Sequence, residues 1–262
     1  MKLELLQWDK KANLLQVRLD GASASFANLV RRFSMDEVPT LAIEDIDFHD
    51  NSSALYDEMI AHRLGLIPIK TDLSSYTIKQ ECSCGGEGCA KCQLKITLKA
   101  AKKGLVTAGE AKSADPKCTF VYDDMPVVKL AAKQKLEIEA IAILGRGREH
   151  AKWSPCLAHY KHEVTINTSS VKFDHDQKAR LQRACGNLAQ VDGKVKVDEE
   201  KLQLSQNSEA CLQVLEEVGA ELKETENIIF TIESWGQLNC KEILDTAADL
   251  IIKELDLLKE KL

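Results

Sequence analysis

Residues 28–72, NLVRRFSMDEVPTLAIEDIDFHDNSSALYDEMIAHRLGLIPIKTD, change backbone pattern three times within one stretch. A helical period opens at Ala22 and places Phe26, Leu29, Val30 and Phe33 at i, i+3, i+4 and i+7, which predicts a helix with one apolar face. It must stop before Pro39, because proline disfavours helical backbone in the residue preceding it. After Pro39, TLAIEDIDF alternates as an extended run, then a short helix is expected from Leu55 to Leu64, with Gly65 and Pro68 forming a turn. Helical and extended patterns both occur in this stretch, and the class read here is α+β.

Working outward, residues 2–8 and 13–20 alternate around Lys10-Lys11-Ala12-Asn13 and read as a hairpin. Residues 93–103 (QLKITLKAAKK) and 135–144 (KLEIEAIAIL) alternate too, so the centre is expected to be mainly strand, and HYKHEVTIN at 159–167 extends that character. Beyond it DQKARLQRACG and SEACLQVLEEVGAELKE read as helices flanking VDGKVKVDEEKLQL, a separate insert. IIFTIESWG at 228–236 returns to strand, and Asn239 is expected to cap a long final helix. In that helix Leu244, Ala248, Ile251, Leu255, Leu258 and Leu262 recur at 4-3-4-3-4 spacing, and Ile243, Leu250 and Leu257 widen the stripe. Either the helix packs on its own sheet or part of its face meets a partner. No repeat of fixed period appears.

The chain has 262 residues, 44% hydrophobic and 29% charged, with only 5 Pro, a composition for folded modules rather than disordered tails. Its length suits two or three of them. A formal charge of -6 withholds the basic field that phosphate-backbone binding needs. No run approaches the roughly 18 apolar residues of a membrane span, and MKLELLQWDKK lacks the architecture of a signal peptide, so the expected location is the cytoplasm.

Four of the nine cysteines crowd into ECSCGGEGCAKC. Cys82, Cys84, Cys89 and Cys92 form C-x-C-x4-C-x2-C, and four thiolates can close the tetrahedral shell of a zinc ion, while Gly85, Gly86 and Gly88 permit a tight wrap. Such a shell leaves no open position for water or substrate, which makes the metal structural. Two other readings remain: four free thiols, or an iron-sulfur cluster, for which a C-x-C start is less typical. His150, Lys152 and Trp153 have no nucleophile motif beside them, and Asp123-Asp124 is an isolated acidic turn rather than a magnesium-binding cluster.

The stretch 28–72, together with LGRGREHAKWSPC at 144–156, closely resembles the family of the D-type assembly subunit of archaeal RNA polymerase, which also holds the eukaryotic third-largest subunits and, more distantly, the N-terminal domain of bacterial alpha. The resemblance covers nearly the whole chain. It implies a discontinuous dimerisation domain of sheet plus helices (1–38 and 225–262, with about 158–169), an inserted, mainly β central domain (39–157) carrying the cysteine loop, and a small ferredoxin-like α+β insert (170–224). It further implies a non-catalytic assembly role: a heterodimer with subunit L that serves as platform for the large catalytic subunits, with small subunits N and P nearby. The dimer interface would use Phe26, Leu29, Val30, Phe33, Leu244, Ile251, Leu255 and Leu258. Arg31 and Arg32, whose guanidinium forks suit carboxylates, would dock a large subunit. Asp57 through Arg63 to Pro68 would meet the small zinc-bearing subunits and a large subunit, unless Leu64, Leu66 and Ile67 there are simply core.

Two departures from the family stand out. Many archaeal members hold iron-sulfur clusters in the insert, but only Cys185 and Cys211 remain in it here, too few for a cubane site, so no cluster is expected and the two read as relics. The insert core is then expected from Leu181, Leu188, Val195, Val197, Leu212 and Leu215. The cysteine loop is also one residue longer between its second and third ligands than the eukaryotic pattern. Two rival functions are a free-standing zinc and nucleic-acid binding protein, which the acidic balance disfavours, and a metalloenzyme working at residues 82–92, which a closed four-sulfur shell disfavours.

Overall fold

The computed structural model describes residues 1–168, 171, 173–190, 195–205 and 208–262. The expected hairpin forms as β1 (Lys2–Asp9) and β2 (Leu14–Asp20), with Asn13 taking the positive φ that closes the turn. The first helix, α1 (Ala24–Arg32), passes into a π turn over Phe33–Glu37, where the Val38 N–H donates to the Phe33 carbonyl at 3.2 Å. Within it the Ser34 hydroxyl donates to the Val30 carbonyl at 2.8 Å, a side-chain bond that competes with the helical ladder. Val38 is extended ahead of Pro39, and β3 (Thr40–Asn51) follows.

The second helix, α2, spans Asp57–Leu66, two residues later than the periodicity suggested. Gly65 therefore lies inside it and is not a turn residue. Ile67, restricted to extended backbone by Pro68, ends the helix instead. Next come β4 (Leu94–Ala100), the short β5 (Gly104–Thr107), β6 (Lys112–Ser113) and β7 (Pro126–Leu130), then the long β8 (Leu136–Gly145) and β9 (Cys156–Asn167). The insert holds α3 (His175–Cys185), β10 (Ala189–Gln190), β11 (Lys196–Val197), α4 (Glu199–Leu204) and α5 (Ser208–Glu217). Residues 191–194 of VDGKVKVDEEKLQL lie outside the described residues. Strand β12 (Glu221–Ser234) and helix α6 (Cys240–Lys261) complete the chain.

The second insert helix stops earlier than its sequence suggested. Gly219 adopts φ +89° and donates to the Glu216 carbonyl while Ala220 donates to Leu215, a Schellman closure, so ELKE at 221–224 belongs to β12. Asn239 caps α6 as expected: its side chain accepts from the Glu242 N–H at 2.9 Å, and the Glu242 carboxylate accepts from the Asn239 N–H at 3.0 Å.

Packing divides the chain into two units, Met1–Leu29 with His159–Ile232 and Val30–Ala158 with Glu233–Leu262. The second is built on the antiparallel sheet β3-β8-β4-β6. Alternation along β8 turns Leu136, Ile138, Ala140, Ala142 and Leu144 inward, and register pairs Ala142, Ala140 and Ile138 with Leu94, Ile96 and Leu98 of β4. Ile60 and Leu64 of α2 join the same core, with Leu41 and Ile43 of β3 and the ribbon β5-β7 supplying Val106, Val127, Val128 and Leu130.

In the other unit the strands run in the order β1-β2-β12-β9. A bulge between Leu5 and Gln7 keeps Trp8 in phase with Leu3 and Leu5, so all three stand opposite Leu15, Val17 and Leu19 of β2. The insert closes on its own core of Leu181, Val195 and Leu215 with Leu188, Val197 and Leu212 packed around it, as the sequence suggested, and adds Leu202, Cys185 and Cys211. Cys185 and Cys211 are joined by a disulfide, which corrects their reading as relics. Taken together, the architecture is mixed α+β with several antiparallel sheets.

Candidate metal centre and interaction surfaces

A short 3-10 turn at Lys79–Glu81 delivers the chain into the cysteine loop, and β4 begins two residues after its last ligand. The base of the loop is tied by the Thr77 N–H donating to the Lys91 carbonyl at 2.8 Å. Gly85, Gly86 and Gly88 carry φ of +67°, +85° and +105°, the left-handed backbone that only glycine adopts freely, and a side chain at 88 would collide with Gln93. The sequence reading of those glycines thus has a geometric cause.

The four sulfurs converge within 4.8 Å of one another. Cys82 to Cys89 is 3.6 Å, Cys84 to Cys92 is 3.7 Å, and Cys89 to Cys92 is 3.9 Å. A metal–sulfur bond of about 2.3 Å in a tetrahedron sets its edges at about 3.8 Å. The donor set therefore fits one tetrahedral ion; a cluster, which shares its thiolates among several irons, needs a wider frame. Cys82 and Cys92 are buried, Cys84 and Cys89 half-buried.

Electrostatics inside the loop is uneven. Backbone N–H groups, Gly88 first, hold the Cys84 thiol down at about 6, whereas burial above all pushes Cys92 up to about 12. Four adjacent thiolates repel one another, and a bound cation is what lets them coexist deprotonated.

The second stretch singled out in the sequence, residues 144–156, is a packed corner. Trp153 lies on Gly145, where any side chain would overlap the indole, and its ring N–H donates to the Ile143 carbonyl at 3.2 Å. Gly147 meets the Met35 carbonyl of the π turn, and the Arg148 N–H donates to the Asp36 carbonyl at 3.1 Å. Arg146 and Arg148 both reach Glu37, and Lys152 pairs with Glu44 while lying over the Trp153 ring. His150 accepts from the Lys152 N–H, the work of a turn residue. Thr40 donates to the Trp153 carbonyl at 2.7 Å, so the two long motifs of the sequence meet here.

The expected interface residues divide by exposure. On α1 the buried position is Ala27; Phe26 and Val30 are half-buried, Leu29 is exposed, and Phe33, the first residue of the π turn, is half-buried. Arg31 is half-buried, with its guanidinium near the Met35 sulfur, and Arg32 is exposed. On α6 the buried line is Cys240, Ile243 and Ala247, Leu244 and Ile251 are half-buried, and Leu255 and Leu258 are exposed at 58% and 55%. From Ile252 onward every residue of α6 is exposed. On α2, Leu64 and Ile67 are core but Leu66 is exposed, which corrects its placement with them, while Arg63 is anchored by donating to the Val127 carbonyl.

Sequence reading missed several exposed apolar groups. Leu3, Leu5 and Trp8 on the edge strand β1, Tyr56 and Met59 at α2, and Leu157 with Trp235 all lie open. The alternation of β1 was visible, but not that its cover stops at the neighbouring strand. Among the described residues, no helix is long and apolar enough to cross a membrane.

Comparison with known proteins accounts for this combination. Residues 43–160 match the family described as the RNA polymerase Rpb3/RpoA insert domain. The chain is 35% identical to DNA-directed RNA polymerase subunit Rpo3 of Archaeoglobus fulgidus over 95% of its own length and 93% of the relative's. It is 35% identical to the Methanosarcina acetivorans protein of the same name, covering 96% and 94%, and 37% identical to that of Methanothermobacter thermautotrophicus, covering 89% of each. Similarity of this depth, end to end, places the chain in the family of the archaeal DNA-directed RNA polymerase subunit Rpo3.

Proposed function

We propose that this chain is a non-catalytic assembly subunit of DNA-directed RNA polymerase, working in the cytoplasm. It pairs with the smaller subunit L, and the pair is the platform on which the large catalytic subunits and small subunits N and P assemble. The observation that carries this reading is the open C-terminal half of α6. Residues 252–261 extend about 15 Å, and Ile252, Leu255 and Leu258 each expose more than half of their surface to solvent. An apolar helix face of that length is costly to leave in water and suits an obligate interface. Phe26, Leu29 and Val30 of α1, with Phe33 at the start of the π turn, add a second apolar face. The dimerisation domain in this reading is a functional grouping of both chain ends (1–38 and 225–262, with about 158–169) around the central 39–157 and the insert 170–224.

Arg31 and Arg32, at the end of α1, take carboxylates of a large subunit, and the exposed Tyr56, Met59 and Leu66 around α2 give the stretch from Asp57 to Pro68 an apolar contact face. Zinc, held by Cys82, Cys84, Cys89 and Cys92, keeps the loop folded as a surface and performs no step of nucleotidyl transfer. Co-expression with a subunit L candidate tests the reading: the two should co-purify as a one-to-one complex by light scattering. A chain that is soluble and monomeric alone and ignores that candidate defeats it.

A further inference from the structure

Cys185 and Cys211 take no part in the metal loop or in the surfaces above. They are joined by a disulfide across a sequence separation of 26, while the chain's other seven cysteines form no disulfide. We propose that this bond is a redox clamp on the insert: closed, it fastens α3 to α5 through the middle of the insert core, and opened, it loosens the insert while leaving the central sheet unchanged.

The placement argues for a clamp rather than a surface staple. Cys185 is 3% exposed and Cys211 not at all, and each stands one helical turn from a buried leucine, Leu181 and Leu215. The chain between the two sulfurs carries Ala189, Val195 and Leu202, so the bond encloses β10, β11 and α4 and all the core residues they supply. Among the described residues the insert core has nine that are buried, and the two cysteines are part of that nine. A module so small buries little surface, and a crosslink that restricts its unfolded chain weighs correspondingly more. Closure of a loop of this length shifts the opening equilibrium on the order of a hundredfold.

Reduced, the two sulfurs still pack as small apolar groups, so the insert softens rather than unfolds. Exchange at the bond requires α3 and α5 to part first, because no thiolate can reach a buried sulfur. The step balances as thiol–disulfide exchange: both cysteines give up their protons, a low-molecular-weight or protein disulfide accepts the two electrons, and two thiols of that partner leave. A dithiol reverses it. Softening is transmitted to the neighbouring sheet, because Lys161 of β9 donates to the Ser208 hydroxyl on α5 at 3.0 Å and Gln203 of α4 donates to the Val164 carbonyl at 2.6 Å.

The test uses the full chain, treated with glutathione disulfide and then alkylated under denaturing conditions with a chelator present. Seven cysteines should be labelled before reduction and nine after it. In native hydrogen exchange, reduction should speed amides of α3 and α5 on the order of a hundredfold and leave those of β3, β4 and β8 unchanged. A Cys185→Ala, Cys211→Ala variant should resemble the reduced chain and ignore reductant. Nine labelled cysteines in the oxidised sample, or equal exchange in α3 and α5 before and after reduction, overturns the proposal.

Discussion

Gly147 and Gly65 respond oppositely to the same added methyl group. A Cβ at Gly147 would overlap the Met35 carbonyl oxygen, and both groups are backbone of segments fixed by the Arg148 to Asp36 hydrogen bond. Gly147→Ala should therefore lower the stability of the chain by about 1–3 kcal/mol, read as a shift of the urea midpoint. Gly65 is helical, and a Cβ there would sit 3.6 Å from the Ile43 carbonyl, ordinary contact distance. Gly65→Ala should raise stability by about 0.4–1 kcal/mol, because alanine loses less backbone freedom on folding. At the metal loop, Cys92→Ser removes the most buried of the four sulfurs and should abolish zinc retention through gel filtration, measured by elemental analysis. Retention of stoichiometric zinc by that variant would rule out the four-sulfur site. The convergence of Cys82, Cys84, Cys89 and Cys92 was legible in the sequence because the four are local: spacing and glycines carry the whole motif. The Gly147–Met35 contact was not, since two segments more than a hundred residues apart create it.

Among the elements, α6 has a buried face and an open face that one periodicity had merged. Its heptad-like stripe was plain in the sequence, but the residues its own unit buries are Cys240, Ile243 and Ala247, offset from the line Leu244, Ile251, Leu255, Leu258. Ile243→Ala should cost about 2–5 kcal/mol of the chain's own stability. Leu255→Ala, at an exposed position, should change that stability by no more than about 0.5 kcal/mol yet weaken pairing with subunit L. Denaturation of the chain alone and titration against the partner distinguish the two; a Leu255→Ala variant that unfolds early and pairs normally would reverse the assignment. Boundaries were less legible than faces. The α-to-π change after Arg32 depends on a hydroxyl bonding one turn back, and the early end of α5 on a glycine closure that reads, in one dimension, as more helix. The bulge that keeps Trp8 on the face of Leu3 and Leu5 has no sequence signal either; it is fixed by pairing with β2.

At the level of the molecule, the chain crosses between its two packing units along continuous elements, α1, β9 and β12, and not through loops. That explains why composition gave no boundary between them: at these crossings there is no linker to find, so the order of elements was readable from periodicity while the division into domains came from resemblance. The unit Val30–Ala158 with Glu233–Leu262 also hides a titration that sequence could not place. Burial pushes the Cys118 thiol up to about 11 and the Cys156 thiol up to about 12. In the unfolded chain these thiols ionise near their ordinary value of 9.0, so above that pH the unfolded state gives up protons that the folded state keeps. Fewer protons on the unfolded side means that stability falls as pH rises. The contribution is intact below pH 9 and is lost progressively as pH climbs from there toward 12. Unfolding free energies measured by urea at pH 8 and pH 10.5 should differ in that direction, and Cys156→Ala, Cys118→Ala should flatten the slope although each cavity lowers stability at both pH values. An unchanged slope in the double variant would assign the alkaline loss to other groups.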